Sequence, residues 1–496
     1  MVDVRGVAGS VLRPLQLDRP LQISLVQGGV LSTTGLLAQG FLRFATAWLV
    51  GRLAGPEAFG AVATAIATAP LLALLWPTTT GSAASKYIAR ARGAGNTPEM
   101  LSTARHLSLR TVQTSLLLAA ASIPVWVLID HGTVAGALCV AAMTIAYSGY
   151  SFTRGVQFGA GQVPRATAWD LISVAVGLGA LAAVLVAGVR GPALVLPLAL
   201  GYAVYALAGW PHGVRGRPDA AHRRELDAFV ALGAAGSIAS TGFLQLSQIT
   251  ARLTSGLHDA GQYAAALNLA TPASMLAASL SLVLFPSLAE AWGRGDHAAF
   301  RAQTDRATRS LAAVMVGIFG CLILCSRFLV AVIWGHKYAD AATVLPVLVL
   351  AVLATNLAVA SVNALTTTSR EGMRITTGAS LLGMALGVVV WLVLGDRLGI
   401  LGVALGYLAG TVVIAAIPIT IVWRRDHHRW AGLFLRVLVA LLAVGALALA
   451  GRAADLPLWL EPVLAAVFLA GWVLASRHDL PRIPGLPSPL GRRRSS

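Results

Sequence analysis

Long apolar runs separated by short polar segments dominate the pattern of this chain. Five runs carry no charged residue and are at least as long as the roughly 20 apolar residues that a helix needs to cross a bilayer core: 132–153, 191–210, 260–289, 341–369 and 398–423. The same criterion applied to the whole chain predicts fourteen membrane-spanning helices. Their approximate bounds are 24–50, 58–80, 108–129, 134–156, 166–189, 192–211, 228–251, 261–289, 310–334, 341–368, 375–395, 398–423, 431–451 and 457–476.

Composition agrees with an all-α, polytopic membrane protein. Of 496 residues, 57% are hydrophobic and 11% are charged, whereas a soluble domain carries about 25% charged residues. The net charge of +17 is spread between the apolar runs rather than concentrated on one soluble face, so we expect no nucleic-acid partner. The three cysteines lie inside apolar runs, where disulfides and metal sites are poorly served, and no cofactor is expected.

The distribution of Lys and Arg predicts the orientation of the spans. With a cytoplasmic N-terminus, the cytoplasmic segments contain 29 Lys and Arg residues and the opposite side contains six. Because basic loops resist translocation, this bias predicts an even number of spans with both termini in the cytoplasm. The predicted location is therefore the cell membrane.

A possible internal repeat relates the two halves of the chain. Residues 40–42 (GFL) recur at 242–244, Ala58 recurs as Ala260 and Pro70 recurs as Pro272, each 202 residues later. Spans 1 and 7 then enter the membrane in the same direction, which predicts two six-helix lobes as a parallel repeat around a central cavity. The predicted units are an N-terminal segment (1–23), an N-lobe (24–211), a basic linker (212–227), a C-lobe (228–423), spans 13 and 14 (424–476) and a basic tail (477–496).

Several short motifs resemble those of a known family. Residues 43–60 (RFATAWLVGRLAGPEAFG) resemble the junction between the first two helices of bacterial polysaccharide-biosynthesis flippases. The segments 86–90 (KYIAR), 261–263 (GQY) and 284–288 (LFPSL) are similar to further landmarks of these proteins. The family belongs to the multidrug/oligosaccharidyl-lipid/polysaccharide exporter superfamily. This resemblance implies a V-shaped, two-lobed fold that carries polyprenyl-diphosphate oligosaccharides across the membrane, with the lipid bilayer and polysaccharide-assembly enzymes as partners.

Polar side chains inside apolar spans are candidate binding groups, because ionisable residues at depth are costly. Arg43 lies inside span 1, and Gln245 is its counterpart in span 7. Gln248 and Arg252 follow three and seven residues after Gln245 and share one helix face with it. Arg forks bind phosphate and amides bind sugar hydroxyls, although snorkelling of Arg43 and Arg252 to the interface is the alternative. Three further candidates, for which hydrogen bonding between helices is the alternative, are Asn268, Asn356 and Asn363.

Other charges favour structural roles. Arg154 and Asp170 flank the loop between spans 4 and 5 and are expected to form an ion pair at the cytoplasmic face, whereas Arg327 is expected to snorkel. No Asp or Glu lies in the middle of spans 1, 2, 7 or 8, which argues against a multidrug/cation antiporter. A flippase for the peptidoglycan lipid precursor remains an alternative. A membrane glycosyltransferase or polymerase is disfavoured because paired acids are missing from the loops.

Overall fold

A computed structural model describes residues 15, 17, 25–130 and 133–479, so most of the predicted N-terminal segment and most of the basic tail lie outside the described residues. The described residues fold almost entirely into helices. These helices are α1 Leu25–Leu74, α2 Pro77–Gly93, α3 Thr97–Asp130, α4 Val134–Gly159, α5 Val163–Val186, α6 Leu196–Gly209, α7 Ala220–Ser237, α8 Phe243–Ala270, α9 Ser274–Gly293, α10 His297–Leu324, α11 Ser326–Ile333, α12 Ala341–Leu357, α13 Val359–Thr368, α14 Arg370–Leu398, α15 Ile400–Arg425, α16 Ala431–Ala453 and α17 Leu460–Ser476.

Eleven helical segments within the described residues are long and apolar enough to cross a membrane. Two of them, Gln27–Leu74 and Ala220–Ala270, contain 48 and 51 residues. At 1.5 Å per residue each is more than twice the roughly 30 Å of a hydrocarbon core. Each segment is therefore long enough for two spans, and a glycine with non-helical backbone angles interrupts each one. The all-α membrane fold is confirmed, while the count of fourteen spans stays a prediction.

The helices pack as two groups. In the first half, α1 packs against α4 and α5, and α4 contacts α2, α3 and α6. In the second half, α15 packs against α12 and α14, α10 contacts α12, and α9 contacts α13. The main contact between the halves runs along α1 and α8. Helices α16 and α17 pack on the outside of α10, where the Trp472 indole donates a hydrogen bond to the Ala313 carbonyl (2.7 Å).

The interruptions of the two long segments are equivalent. Gly55 in α1 has φ 87° and ψ 177°, and Gly256 in α8 has φ 86° and ψ −175°. These are conformations that glycine adopts far more readily than other residues. Five residues further on in each helix, Gly60 and Gly261 bring α1 and α8 together. A Cβ atom at Gly60 would lie 2.0 Å from the Leu257 carbonyl oxygen.

The contact between the halves is reciprocal at this point. A Cβ atom at Gly261 would lie 2.1 Å from the Pro56 carbonyl oxygen, and Pro56 follows Gly55 as Leu257 follows Gly256. The equivalent glycines are 201 residues apart, one fewer than the spacing of 202 predicted from matching letters. Matching residues gave only an approximate repeat spacing, because chance identities are frequent among apolar helices. We call this end of the molecule the kink end; the topology prediction places it outside the cell.

The proline pair at 70 and 272 proved not to be equivalent. Pro70 lies inside α1, whereas Pro272 lies in the turn between α8 and α9. The predicted span 261–289 is therefore two helices. The predicted span 310–334 also differs, because α10 begins earlier at His297 and a break at Cys325 separates it from the short α11.

Candidate functional site

A cavity of about 1020 Å³ lies between the two halves, with walls from α1, α2, α4, α6 and α8 and from the first residues of α9. Among the described residues that line it, the charged ones are Arg43 and Arg154, and none is Asp or Glu. Both arginines belong to the first half of the chain. The second half contributes amides, namely Gln245, Gln248 and Asn268. The cavity is therefore cationic on one wall and neutral on the other.

Arg43 lies on the cationic wall among aromatic side chains. Its guanidinium carbon is 5.6 Å from the centre of the Tyr147 ring, a cation–π distance. Tyr150 and Tyr202 line the cavity together with Arg43 and Tyr147. The Nε atom is shielded from solvent without a hydrogen-bond acceptor. Within the described residues, no carboxylate lies within ion-pair distance of Arg43, so its charge faces the cavity without a fixed anion.

Arg154 is held more firmly. Its Nε donates to Asp170 Oδ2 at 3.4 Å, and its guanidinium lies 4.8 Å from the centre of the Phe158 ring. The side chain of Arg154 is 22% exposed, whereas that of Asp170 is 1% exposed. Asp170 also accepts a hydrogen bond from the Tyr150 hydroxyl at 3.3 Å. The structure thus brings the predicted pair together and places Arg154 at the cavity wall, while its location at the cytoplasmic face stays a prediction.

Gln39 joins this network to the first helix. Its Nε2 donates to the Asp170 backbone carbonyl at 3.2 Å and to Ser173 Oγ at 3.1 Å. Gly35 of the same helix approaches the Asp170 carboxylate so closely that a Cβ atom there would lie 2.4 Å from Oδ2. The aspartate is therefore enclosed by α1, α4 and α5. A buried carboxylate with these partners fixes the position of Arg154.

Three tyrosines, Tyr147, Tyr150 and Tyr202, line this wall, and Tyr205 packs behind them; the sequence interpretation did not include these residues. Tyr150 lies 4.8 Å from both Tyr202 and Tyr205, and Tyr147 lies 5.4 Å from Tyr202, measured between ring centres. The available signal was their spacing, since each pair is three residues apart in an uncharged run. Two tyrosines on one face of each of two spans indicate a polar seam in an otherwise apolar helix.

The amides of the opposite wall are partly occupied by the backbone. Gln248 Nε2 donates to the Ala260 carbonyl at 3.0 Å, while its Oε1 is buried without a donor. Asn268 Nδ2 donates to the Ala264 carbonyl at 2.8 Å. Gln245 lies next to both in the cavity lining. These groups keep unused hydrogen-bonding capacity towards the cavity.

Three of the predicted binding residues do not line the cavity. Asn356 donates to Ser274 Oγ at 3.0 Å, and Asn363 exchanges hydrogen bonds with Ser281 Oγ, so both connect neighbouring helices. Arg252 is one turn beyond Gln248. It precedes the kink at Gly256 by four residues and is not part of the cavity lining.

Arg327, which was expected to snorkel, has protein partners for its guanidinium group. Its Nε donates to Glu461 Oε1 at 2.7 Å and its Nη2 donates to the Leu456 carbonyl at 2.8 Å. The reason is that α17 supplies a carboxylate that is 9% exposed at the level of Arg327. Glu461 thereby anchors α17 to α11.

The kink end of the cavity is closed by contacts between the halves. Phe59, which lines the cavity, stacks on Trp334 with ring centres 5.1 Å apart. The Tyr338 hydroxyl donates to the Gly51 carbonyl at 2.9 Å, and the Trp48 indole donates to the Ile333 carbonyl at 2.9 Å. The segment 333–338 of the second half thus covers the end of the first span beside the Gly60 contact.

The fold and this cavity define a class of protein: a multi-pass membrane transporter with two helical halves around a central site. The profile of the family "Lipid II flippase MurJ" matches residues 159–474, and that of the family "Polysaccharide biosynthesis protein" matches residues 25–292. Each match covers more than half of the chain. The chain therefore belongs to the flippases of the multidrug/oligosaccharidyl-lipid/polysaccharide exporter superfamily, to which both families belong. No curated protein is similar enough in sequence to be matched.

Solved structures are similar in fold. The lipid II flippase MurJ in an inward closed conformation has a TM-score of 0.68, with 11% sequence identity, over 90% of this chain and 99% of that chain. An inward-facing multidrug resistance MATE family transporter has a TM-score of 0.65 with 14% identity, over 83% and 97% of the two chains. A superfamily transporter from Pyrococcus furiosus has a TM-score of 0.58 with 15% identity, over 81% and 95%. At these identities the likeness concerns the fold alone.

Proposed function

We propose that this flippase translocates polyprenyl-diphosphate-linked oligosaccharides across the cytoplasmic membrane for cell-surface polysaccharide biosynthesis. The observation that supports this substrate most directly is the cavity lining, in which the described charged groups are Arg43 and Arg154 without a carboxylate. A cavity of this charge attracts anions. A diphosphate is the anionic part of such a lipid, and the two arginines are its candidate ligands.

The uncharged groups suit the rest of the headgroup. Sugar hydroxyls lose their water partners inside a membrane, and each unpaired polar group costs roughly 2–7 kcal/mol. Gln245, Gln248 and Asn268 on one wall and the tyrosine hydroxyls on the other offer replacement hydrogen bonds. Tyrosine rings also present apolar faces on which sugar rings pack. The polyprenyl tail stays in the surrounding lipid, where transfer has no cost.

Movement of the halves provides the translocation step. In a parallel-repeat transporter, one lobe rocks against the other around a fixed site. Here the kink end is closed by the Gly60–Gly261 contact and by the Phe59–Trp334 stack. Opening that end requires these contacts to separate while the opposite end closes. Arg43 and Arg154 lie on the same half and therefore travel together with the bound diphosphate.

The lipid precursor of peptidoglycan is the second candidate substrate, supported by the match of residues 159–474 to the MurJ family. It presents the same diphosphate to the arginines and differs in the sugar portion. A multidrug/cation antiporter is less compatible with the site. A cationic drug would meet two arginines and no carboxylate in the described lining, and this arrangement repels it.

Translocation of labelled lipids in proteoliposomes tests the proposal. Arg43→Ala should lower the rate at least about 100-fold, because two charge-assisted hydrogen bonds contribute roughly 1.5–3 kcal/mol each. Arg43→Lys should keep part of the rate, since the charge survives without the bidentate fork. Arg252→Ala is the matched control and should stay near wild type, because Arg252 does not line the cavity.

Two results would contradict the assignment. Full activity of Arg43→Ala at matched amounts of folded protein would remove Arg43 from the binding site. Transport of a labelled peptidoglycan precursor, but not of a lipid-linked oligosaccharide, would favour the second candidate substrate. Loss of folded protein in Arg43→Ala alone is distinguished by Arg43→Lys, which should fold if the charge is what matters.

A further inference from the structure

A second, smaller pocket of about 260 Å³ lies on the surface, away from the central cavity. It is formed between the N-terminal part of α3 and the linker that joins the two halves of the chain. Its lining contains four arginines and a histidine and no carboxylate: Arg105, His106, Leu109, Arg110, Gln113, Gly216, Arg217, Pro218 and Arg223. Such a concentration of Arg in one concave surface favours an anionic ligand.

The pocket is built before any ligand arrives. Arg105 Nη1 donates to the Gly216 carbonyl at 2.9 Å and so fixes the linker against α3. Gly216 has φ 79°, and the following turn buries Pro218. On the other side, Asp227 of α7 holds His106 at 3.1 Å and Arg110 at 3.5 Å. These contacts shape the walls and leave the charge of the linker arginines uncompensated.

Arg217 and Arg223 supply that charge. Both are exposed, and within the described part of the chain neither has a carboxylate at ion-pair distance. The nearby acidic residue Glu225 is paired with Arg90 at 3.5 Å and with His222 at 3.5 Å. Asp219 caps α7 by accepting a hydrogen bond from the His222 backbone N–H at 2.6 Å. An incoming anion therefore meets two guanidinium groups that have no carboxylate at ion-pair distance.

The position of the pocket along α3 identifies the source of the anion. Exposed apolar side chains of α3 begin at Leu109, a pocket residue, and continue through Leu116 and Leu117 to Leu128. At 1.5 Å per residue this stretch is about 29 Å long, the thickness of a hydrocarbon core. Leu109 therefore marks the boundary between acyl chains and headgroups. The arginines lie at headgroup level beside a lipid-facing helix.

We propose that this pocket binds the headgroup of an anionic phospholipid of the adjacent leaflet, with its acyl chains along the exposed face of α3. The phosphate contacts Arg217 and Arg223, and Gln113 and Arg105 reach the remaining headgroup oxygens. Basic pockets between helices at a membrane surface bind anionic lipid headgroups in this way. Because the linker forms one wall, the bound lipid stabilises the connection between the two halves. This inference is independent of the substrate of the central cavity.

Titration of phosphatidylglycerol into detergent-solubilised full-length protein, followed by native mass spectrometry, tests the site. Detergent removes the surface potential of a vesicle, so only binding at a defined site is counted. Each arginine near a membrane surface contributes about 1 kcal/mol, which is about fivefold in affinity. The double variant Arg217→Gln/Arg223→Gln should therefore bind the lipid about 30-fold more weakly. The variant Arg217→Lys/Arg223→Lys keeps the charge and should retain most of the binding.

The linker also offers a matched control. Arg215 and Arg224 are exposed arginines that do not line the pocket, and Arg215→Gln/Arg224→Gln should change affinity by less than about threefold. Equal loss in both double variants would overturn the site in favour of diffuse attraction. Unchanged binding in Arg217→Gln/Arg223→Gln would overturn it outright. Competition by inorganic phosphate at the concentration of the lipid, or equal binding of phosphatidylcholine, would overturn the anionic-lipid assignment.

Discussion

The reciprocal glycine contact gives a sharp test of how the two halves move. We consider Gly60→Ala, which adds a single methyl group at the kink end of the cavity. The new Cβ would lie 2.0 Å from the Leu257 carbonyl oxygen and 3.0 Å from the Gly261 nitrogen. Both are backbone atoms, which cannot rotate away as a side chain does. The substitution is therefore expected to separate α1 from α8.

The size of the effect follows from the distances. Ordinary van der Waals contact begins at 3.4 Å, so the oxygen must retreat by about 1.4 Å from its 2.0 Å position. Overpacking of this kind costs about 1–3 kcal/mol. The gain in helix propensity from Gly to Ala is at most about 1 kcal/mol and favours every conformation of the helix equally. The closed kink end should therefore lose about 1–3 kcal/mol, a shift of roughly 5- to 150-fold towards the separated state.

Electron paramagnetic resonance measures this shift. Spin labels at Glu57→Cys and Asp259→Cys, in a background with the three native cysteines replaced, report the distance across the kink end. Wild type should give mainly the short distance of the closed end, and Gly60→Ala should populate a longer one. Gly179→Ala is the control, because a Cβ atom at this α5 position meets nothing within 4 Å.

The reciprocal geometry also predicts non-additivity. Gly261→Ala places its Cβ 2.1 Å from the Pro56 carbonyl oxygen and should act like Gly60→Ala. Once the helices have separated to relieve one clash, the second methyl group meets little resistance. The double variant should therefore resemble either single variant, as expected for neighbouring sites that share one displacement. An unchanged distance in Gly60→Ala, or twice the energetic effect in the double variant, would refute this reasoning.

Two further predictions concern topology and the outer helices. A reporter fused after Arg425 should be active only in the cytoplasm, and one fused after Asp396 only outside. The reason is that the predicted cytoplasmic segments contain 29 Lys and Arg residues and the opposite side contains six. The reverse result would contradict the predicted orientation. Glu461→Gln should lower the apparent melting temperature through a loss of about 1–3 kcal/mol, because the carboxylate holds Arg327 at 2.7 Å and a backbone N–H at 2.9 Å. Glu290→Gln, in an exposed pair, should change it little, and equal effects would argue against the anchoring role.

The fold was predictable because apolar length is a strong signal. The long uncharged runs are mostly helical, although a turn at Pro272 divides the run 260–289, and Gln245 and Gln248 line the cavity together with Arg43. A single polar group in an apolar helix stands out in the sequence. The sequence does not show which way that side chain points, because too few polar positions remain in the helix to define a polar face. For this reason Asn356 and Asn363 resembled Asn268 in the sequence but bond to neighbouring helices.

The tyrosines of the cavity wall and the roles of the kink glycines were harder to predict from the sequence, for a different reason. Tyr150 and Tyr202 contribute to an apolar run as much as to a polar site, so their spacing carried little weight beside Arg43. The predicted spans place breaks at 51–57 and 252–260, but the sequence, with its 51 glycines, does not show that Gly55 and Gly256 are equivalent or that Gly60 and Gly261 are close packing positions. The backbone angles of Gly55 and Gly256 identify these two residues as the equivalent break points.

The two cavity walls suggest why the halves differ in charge although their kinks match. Arg43 and Arg154 both belong to the first half, while the second half faces them with amides. If each half held one arginine, a diphosphate between them would bridge the halves and oppose their separation. Under the proposed function, with both cations on one half, the diphosphate would remain with that half while the amides of the other half exchange hydrogen bonds with the substrate. On this argument, transferring the charge across the cavity with Arg43→Gln/Gln245→Arg should preserve substrate binding but slow translocation.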